Sequence, residues 1–218
     1  MSSAGQPWIE HGARLGPSGM KDHLRRAIRA EREKLSPRQR ARAAAGFAQV
    51  VGDLPQVREA AVVAAYVARP SEPGTIPLLE RLAQRGTRVL LPVLGTGLQR
   101  DWAWFTTAED LRVRAPGRPP EPSGPTLGAE AVKEAGAVVA PALAVDTTGV
   151  RLGQGGGWYD RVLMHCTPGT SVIAMVFESE VYDADERPLP HQPHDLRVDV
   201  IATPERWTRV AVSTDPRV

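Results

Sequence analysis

AAVVAAYVARPSEPGTIPLLERLAQRGTRVLLPV, from Ala60 to Val93, contains a strand, a helix and a second strand in unbroken succession. The run Ala60–Ala68 is apolar and rich in β-branched residues but does not alternate, the pattern of a strand covered on both faces in a parallel sheet. RPSEPGT then breaks the regular structure. Thr75 is placed to cap a helix over Ile76–Gln84, Gly86 stops it, and TRVLLPV (Thr87–Val93) is the next strand. A strand–helix–strand unit of this length implies α/β architecture built on a parallel sheet.

The flanking sequence extends the same reading. WAWFT (Trp102–Thr106) reads as a short strand, and Leu111–Gly128 is too rich in proline and glycine for regular structure and reads as a long ordered loop. AGAVVAPAL (Ala135–Leu143), SVIAMVF (Ser171–Phe177) and VDVIATP (Val198–Pro204) are further buried strands, giving an expected sheet of five or six. Upstream, Met20, Leu24, Ala27, Ile28 and Leu35 recur at helical spacing, while Lys21, Arg25 and Arg29 form a basic stripe on a neighbouring face. Ser36-Pro37-Arg38-Gln39 supplies a capping box with proline at the first helical position, opening a second helix that runs to Gly52. The expected fold is therefore a three-layer α/β structure, an open and mainly parallel sheet with helices on both faces and an N-terminal helical pair. Residues 1–19 are expected to form a flexible tail and residues 20–218 a single α/β domain.

Composition narrows the function classes. The lone cysteine, Cys166, excludes an internal disulfide and a cysteine-built zinc site. Residues 1–19 hold no apolar run that could serve as a signal-peptide core, and nowhere do eighteen apolar residues occur together, so a soluble cytoplasmic protein with no membrane partner is expected. The net charge of +2 gives little drive toward nucleic acid, and the basic helix Met20–Leu35 lacks the stacking aromatics of a nucleic-acid surface.

Chemistry concentrates in RLGQGGGWYDR, Arg151–Arg161. A glycine-rich loop between a strand and a helix aims backbone N–H groups at an anion. Its spacing matches neither the P-loop nor the dinucleotide fingerprint, and such a loop is also, more simply, a turn. Arg151 can neutralise a phosphate, Trp158 or Tyr159 can stack on a flat heterocycle, and Asp160 is a hard-oxygen ligand suited to Mg²⁺. Equally, Arg151 and Asp160 can form a structural ion pair and the aromatics can be core.

The longer stretch PALAVDTTGVRLGQGGGWYDR, Pro141–Arg161, resembles the signature of the 5-formyltetrahydrofolate cyclo-ligase family, also called methenyltetrahydrofolate synthetase. Lys21-x-x-Leu24-Arg25, the Glu72 loop after Tyr66, the pair Glu121-Pro122 and PHDLRVDVIAT (Pro193–Thr203) are similar to further family motifs, in the family's order. Val145 and Trp158 stand where the family usually has phenylalanine and tyrosine.

The resemblance implies an ATP-dependent ligase that converts 5-formyltetrahydrofolate to 5,10-methenyltetrahydrofolate with release of ADP and phosphate. Its alternative is a non-catalytic protein that binds ATP or folate on the same fold. By resemblance, Lys21, Arg151 and Asp160 are catalytic. ATP is expected on Lys21, Arg25 and Arg151, along the run Leu152, Gly153, Gln154, Gly155, Gly156 and Gly157, and against Trp158 and Tyr159. The folate is expected on Val67 and Glu72, on Gln154 and Gly155–Gly157, and on Trp158, with the Glu72 carboxylate pairing with the pterin's amino group and ring N–H. Mg²⁺ is expected on Asp160 and Asp195. His194 is placed to orient Asp195, Arg29 and Arg32 are assigned to solvent, and Cys166 to a buried helix end. The partners implied are two small molecules, and the chain is expected to act as a monomer.

Overall fold

The computed structural model describes residues 6–7, 16–94, 100–192 and 195–210. Helices α1 (Pro17–Glu33), α2 (Pro37–Gly52) and α3 (Pro55–Glu59) precede strand β1 (Val62–Ala64), and α4 (Ile76–Gln84) leads to β2 (Arg88–Val93) and β3 (Asp101–Trp104). The second half contributes β4 (Ala137–Pro141), β5 (Ala144–Asp146), β6 (Arg151–Leu152), α5 (Trp158–Leu163), β7 (Ser171–Met175), β8 (Val181–Tyr182), β9 (Val200–Ala202) and β10 (Trp207–Arg209). The main sheet has the order β10-β9-β7-β4-β1-β2-β3. Its five inner strands are parallel, and β3 and β10 close the two edges antiparallel.

Residues alternate across the sheet as a pleated strand requires. Val63, Val89, Leu91, Val139 and Ile173 pack beneath α2, α3 and α4, whereas Val62, Leu90, Val138, Ala140 and Val172 pack on the other side against α5 and a 3-10 segment at Ala129–Glu134. The helices therefore cover both faces, as the non-alternating strand runs predict. The capping box also holds: Gln39 N donates to Ser36 Oγ while Ser36 N donates to Gln39 Oε1.

Several local expectations are corrected. Helix α1 opens at Pro17, ahead of Met20, because proline's fixed φ suits the first helical turn. Ahead of it, Gln6 Nε2 donates to Ser179 O and Val181 O, and Tyr182 Oη donates to Pro7 O. Thr75 stands at the start of α4 but does not cap it. Its buried hydroxyl accepts from Ala68 N at 3.0 Å, which ties the two ends of the β1–α4 loop together.

Strand β4 does not run directly into the glycine loop either. A hairpin, β5 and β6, intervenes and joins β8 in a separate three-stranded sheet in the order β6-β5-β8. Asp146 fixes that hairpin, with Oδ1 accepting from Thr148 N, Thr148 Oγ1 and Val150 N and Oδ2 accepting from Leu189 N.

The small sheet is the platform for α1. Leu24 and Ile28 pack against Leu143, Val150, Leu152, Tyr182 and Leu189, and each buried aliphatic side chain contributes about 1.5–3 kcal/mol. Arg32, expected in solvent, is buried instead. Its Nε and Nη2 donate to the Glu180 carboxylate at 2.6 and 2.8 Å, and Nη2 also donates to Ala142 O at 2.7 Å. This pairing locks the basic helix onto the β4–β5 turn.

Candidate active site

In the main sheet the chain proceeds one way from β1 to β2 and the other way from β4 to β7 and β9, so the order reverses between β1 and β4. Open α/β sheets bind ligands at such a reversal, beyond the carboxyl ends of the strands. A cleft of about 450 Å³ lies there. One wall is α1, another is the loop after β1, and the third is the glycine loop running from β6 into α5; Leu94, Pro119 and Pro120 form the rim.

Every residue that the sequence nominates for the site lines this cleft. Lys21 and Arg25 come from α1, and Val67 and Glu72 from the β1 loop. Arg151 through Asp160 follow from the glycine loop and the first turn of α5, and Asp195 from the segment before β9. Gly155 (φ 103°) and Gly157 (φ 59°) take the left-handed conformations that let the loop turn back toward α1 and then enter α5. The expectation for His194 lies outside the described residues.

The charged groups are already matched to each other. Lys21 Nζ donates to Asp195 Oδ2 at 2.5 Å, and Arg151 Nη2 donates to Asp160 Oδ1 at 2.5 Å. The structural ion pair and the ligand-site reading of Arg151 and Asp160 thus occupy the same atoms. An anion entering the cleft would take over the cations, and a cation would take over the carboxylates. Arg25 holds the loop itself, with Nε donating to Gly153 O at 2.9 Å and Nη1 to Asp22 Oδ1 at 2.7 Å.

Arg29, also expected in solvent, is instead drawn into the cleft wall. Its Nη2 donates to both Gln154 O and Gln154 Oε1 at 3.0 Å. Partial burial, followed by the neighbouring charges of Arg25 and Arg69, holds its guanidinium below the ordinary value. Gln154 Nε2 in turn donates to Glu72 Oε1 at 2.7 Å, while Glu72 Oε2 accepts from Arg69 N at 2.8 Å. Sequence periodicity puts Arg29 beside Arg25, but nothing in it shows that the glycine loop folds back over that face.

Trp158 is both wall and core. It meets Trp102 edge to face at 5.2 Å and Tyr159 at 4.9 Å. Burial, then Glu72, pushes the Tyr159 phenol well above its usual value, so it stays a neutral donor; it donates to Ala65 O at 3.3 Å. Cys166 is half-buried just beyond α5, and burial pushes its thiol up to about 11, which leaves it a poor nucleophile at neutral pH.

Two carboxylates, Asp160 and Asp195, line the same cleft and could serve as metal donors. No cluster of three or more potential ligands occurs among the described residues. Two hard-oxygen groups beside cationic side chains would suit Mg²⁺, an ion that keeps several waters and is commonly held by one or two carboxylates rather than by an all-protein cage.

The model of the 5-formyltetrahydrofolate cyclo-ligase family matches residues 17–204. The chain belongs to this family. The matched span begins at the first residue of α1 and takes in all of the cleft. A 5-formyltetrahydrofolate cyclo-ligase of Mycolicibacterium smegmatis is 42% identical over 147 residues, 66% of this chain and 74% of that protein. The Escherichia coli protein of the same name is 27% identical over 183 residues, 82% of this chain and 97% of its own length.

Among solved structures, 5,10-methenyltetrahydrofolate synthetase from Aquifex aeolicus superposes with a TM-score of 0.73 at 25% identity, covering 87% of this chain and 92% of that one. The Mycoplasma pneumoniae synthetase, at 20% identity, shares the fold with a TM-score of 0.64 over 85% of this chain and 99% of its own.

Proposed function

We propose that the chain closes 5-formyltetrahydrofolate to 5,10-methenyltetrahydrofolate in an ATP- and Mg²⁺-dependent reaction that releases ADP and phosphate. The observation that carries this reading is the 2.7 Å hydrogen bond between Gln154 and Glu72. It brings the glycine loop, which suits a phosphate chain, into contact with the carboxylate that suits a pterin edge. A formyl oxygen can reach a γ-phosphate only where two such sites touch.

In this reading the formyl oxygen attacks the γ-phosphorus as the bond to ADP breaks, leaving a phosphorylated iminium at N5. N10 then attacks the former formyl carbon, gives up its proton, and phosphate leaves with the C–O electron pair. The protein positions the partners and neutralises charge. Lys21 and Arg151 exchange their carboxylate partners for phosphate oxygens, and Arg25 keeps the loop backbone against α1. The turns at Gly155 and Gly157 present N–H groups to the phosphates, while Trp158, braced by Trp102, forms the face against the ring. Asp160 and Asp195, released from the cations, would hold Mg²⁺, which neutralises phosphate charge when bound. The partners are the two small molecules, with the chain acting as a cytoplasmic monomer. Among the described residues no helix is long and apolar enough to cross a membrane.

The test is direct. Purified chain with Mg-ATP and 5-formyltetrahydrofolate should generate the absorbance of methenyltetrahydrofolate in step with ADP. Tight ATP or folate binding with no product over hours would replace this reading by the non-catalytic one.

A further inference from the structure

The side chain of Gln154 sits between an acceptor and a donor. Its Nε2 donates to Glu72 Oε1 at 2.7 Å, and its Oε1 accepts from Arg29 Nη2 at 3.0 Å. A carboxylate only accepts and a guanidinium only donates, so one orientation of the amide satisfies both. The frame around it is fixed without it. Glu72 is held through its other oxygen by Arg69 N. The loop backbone is held separately, by Arg29 on Gln154 O and by Arg25 on Gly153 O. The amide side chain can therefore leave while the loop stays anchored.

What the frame recognises is an N–H and a C=O on the same carbon. The lactam edge of a 2-amino-4-oxopteridine presents the same pair, ring N3–H beside the 4-oxo oxygen. We propose that Glu72 and Arg29 together form the recognition frame for that edge. Glu72 takes the ring N–H, Arg29 donates to the 4-oxo oxygen, and the Gln154 amide fills the frame until the ligand displaces it. Arg29 is then a specificity-determining residue and Gln154 an internal competitor. The inference rests on the folate reading of the cleft.

The physical consequence is discrimination along one ring edge. A neutral 2,4-diaminopteridine turns its 4-amino donor toward the Arg29 guanidinium, itself only a donor, and its unprotonated N3 toward the Glu72 carboxylate, itself only an acceptor, so both contacts are left unmade. Binding is measured by calorimetry without ATP, using 5-formyltetrahydrofolate and a 2,4-diaminopteridine carrying the same side chain.

The wild-type chain should prefer the 4-oxo ring by on the order of a hundredfold, about tenfold for each of the two charge-assisted contacts, and Arg29→Ala should lower that preference by about tenfold. Gln154→Ala should bind both rings several-fold more tightly, since the competing amide is gone. An unchanged preference in Arg29→Ala, or weaker binding of 5-formyltetrahydrofolate by Gln154→Ala, overturns the frame while leaving the proposed reaction standing if wild-type turnover is seen. A wild-type chain that binds neither pteridine overturns both.

Discussion

Replacing Arg32 by methionine tests how the basic helix is held over the cleft. The guanidinium is 1% exposed and the Glu180 carboxylate 6%. Two hydrogen bonds join them, a third reaches Ala142 O, and the guanidinium lies 5.5 Å from the Phe177 ring centroid. Methionine fills much of the same space but leaves the carboxylate buried with, among the described residues, only the Phe177 N–H donor at 2.8 Å. Breaking a buried ion pair from one side costs about 3–5 kcal/mol, a large share of the 5–15 kcal/mol typical of a whole domain.

Adding Glu180→Leu removes the stranded charge, leaves Phe177 N–H without its acceptor, and should bring the total back to roughly 1–3 kcal/mol. Urea unfolding followed by tryptophan fluorescence reads both values, provided the slope is unchanged. The pH dependence has a defined sign. Burial pushes the Glu180 carboxyl up, and without Arg32 less opposes that shift. The folded variant then holds a proton that the unfolded chain has released, so its stability rises as pH falls toward the ordinary carboxylate range. The Arg32→Met deficit should be larger at pH 8 than at pH 5. A deficit below 1 kcal/mol, or two single-substitution costs that simply add, would refute the idea that this pair anchors α1.

Asp160→Asn should raise the KM for ATP by at least about tenfold while 5-formyltetrahydrofolate binding changes less than about twofold; equal effects in kinetics and calorimetry would remove Asp160 from the metal. Lys21→Ala should likewise raise the KM for ATP, and an unchanged value would make its bond to Asp195 purely structural. Gly46→Ala drives a Cβ into the Pro204 carbonyl oxygen, where α2 crosses the end of β9. Overpacking of this kind costs about 1–3 kcal/mol, a fall of very roughly 2–12 °C in Tm by calorimetry. An unchanged Tm would mean that the helix and strand end separate freely.

The glycine loop and the basic helix were legible as sequence because their chemistry is local. RLGQGGGWYD carries its charges and bare backbone within a few residues, and Lys21, Arg25 and Arg29 share a face through the helical period alone. The non-alternating strands likewise disclosed the parallel sheet before any contact was known, since strands buried on both faces cannot carry a polar alternate position. Short or weakly patterned elements were missed: α3, β10 and the three-stranded sheet rest on only a few residues each. Their signal is pairing with distant chain, which a local period does not contain.

By itself, then, the sequence determined the α/β class, the family signature and the set of residues able to handle phosphate, carboxylate and metal chemistry. Tertiary structure decided which of them meet. Arg32 lies only one helical turn beyond Arg29, yet one is buried on Glu180 and the other reaches Gln154. Which arginine faces solvent depends on what the small sheet and the glycine loop bring against α1. That is fixed by contacts between residues more than a hundred positions apart, and no spacing within the helix encodes them.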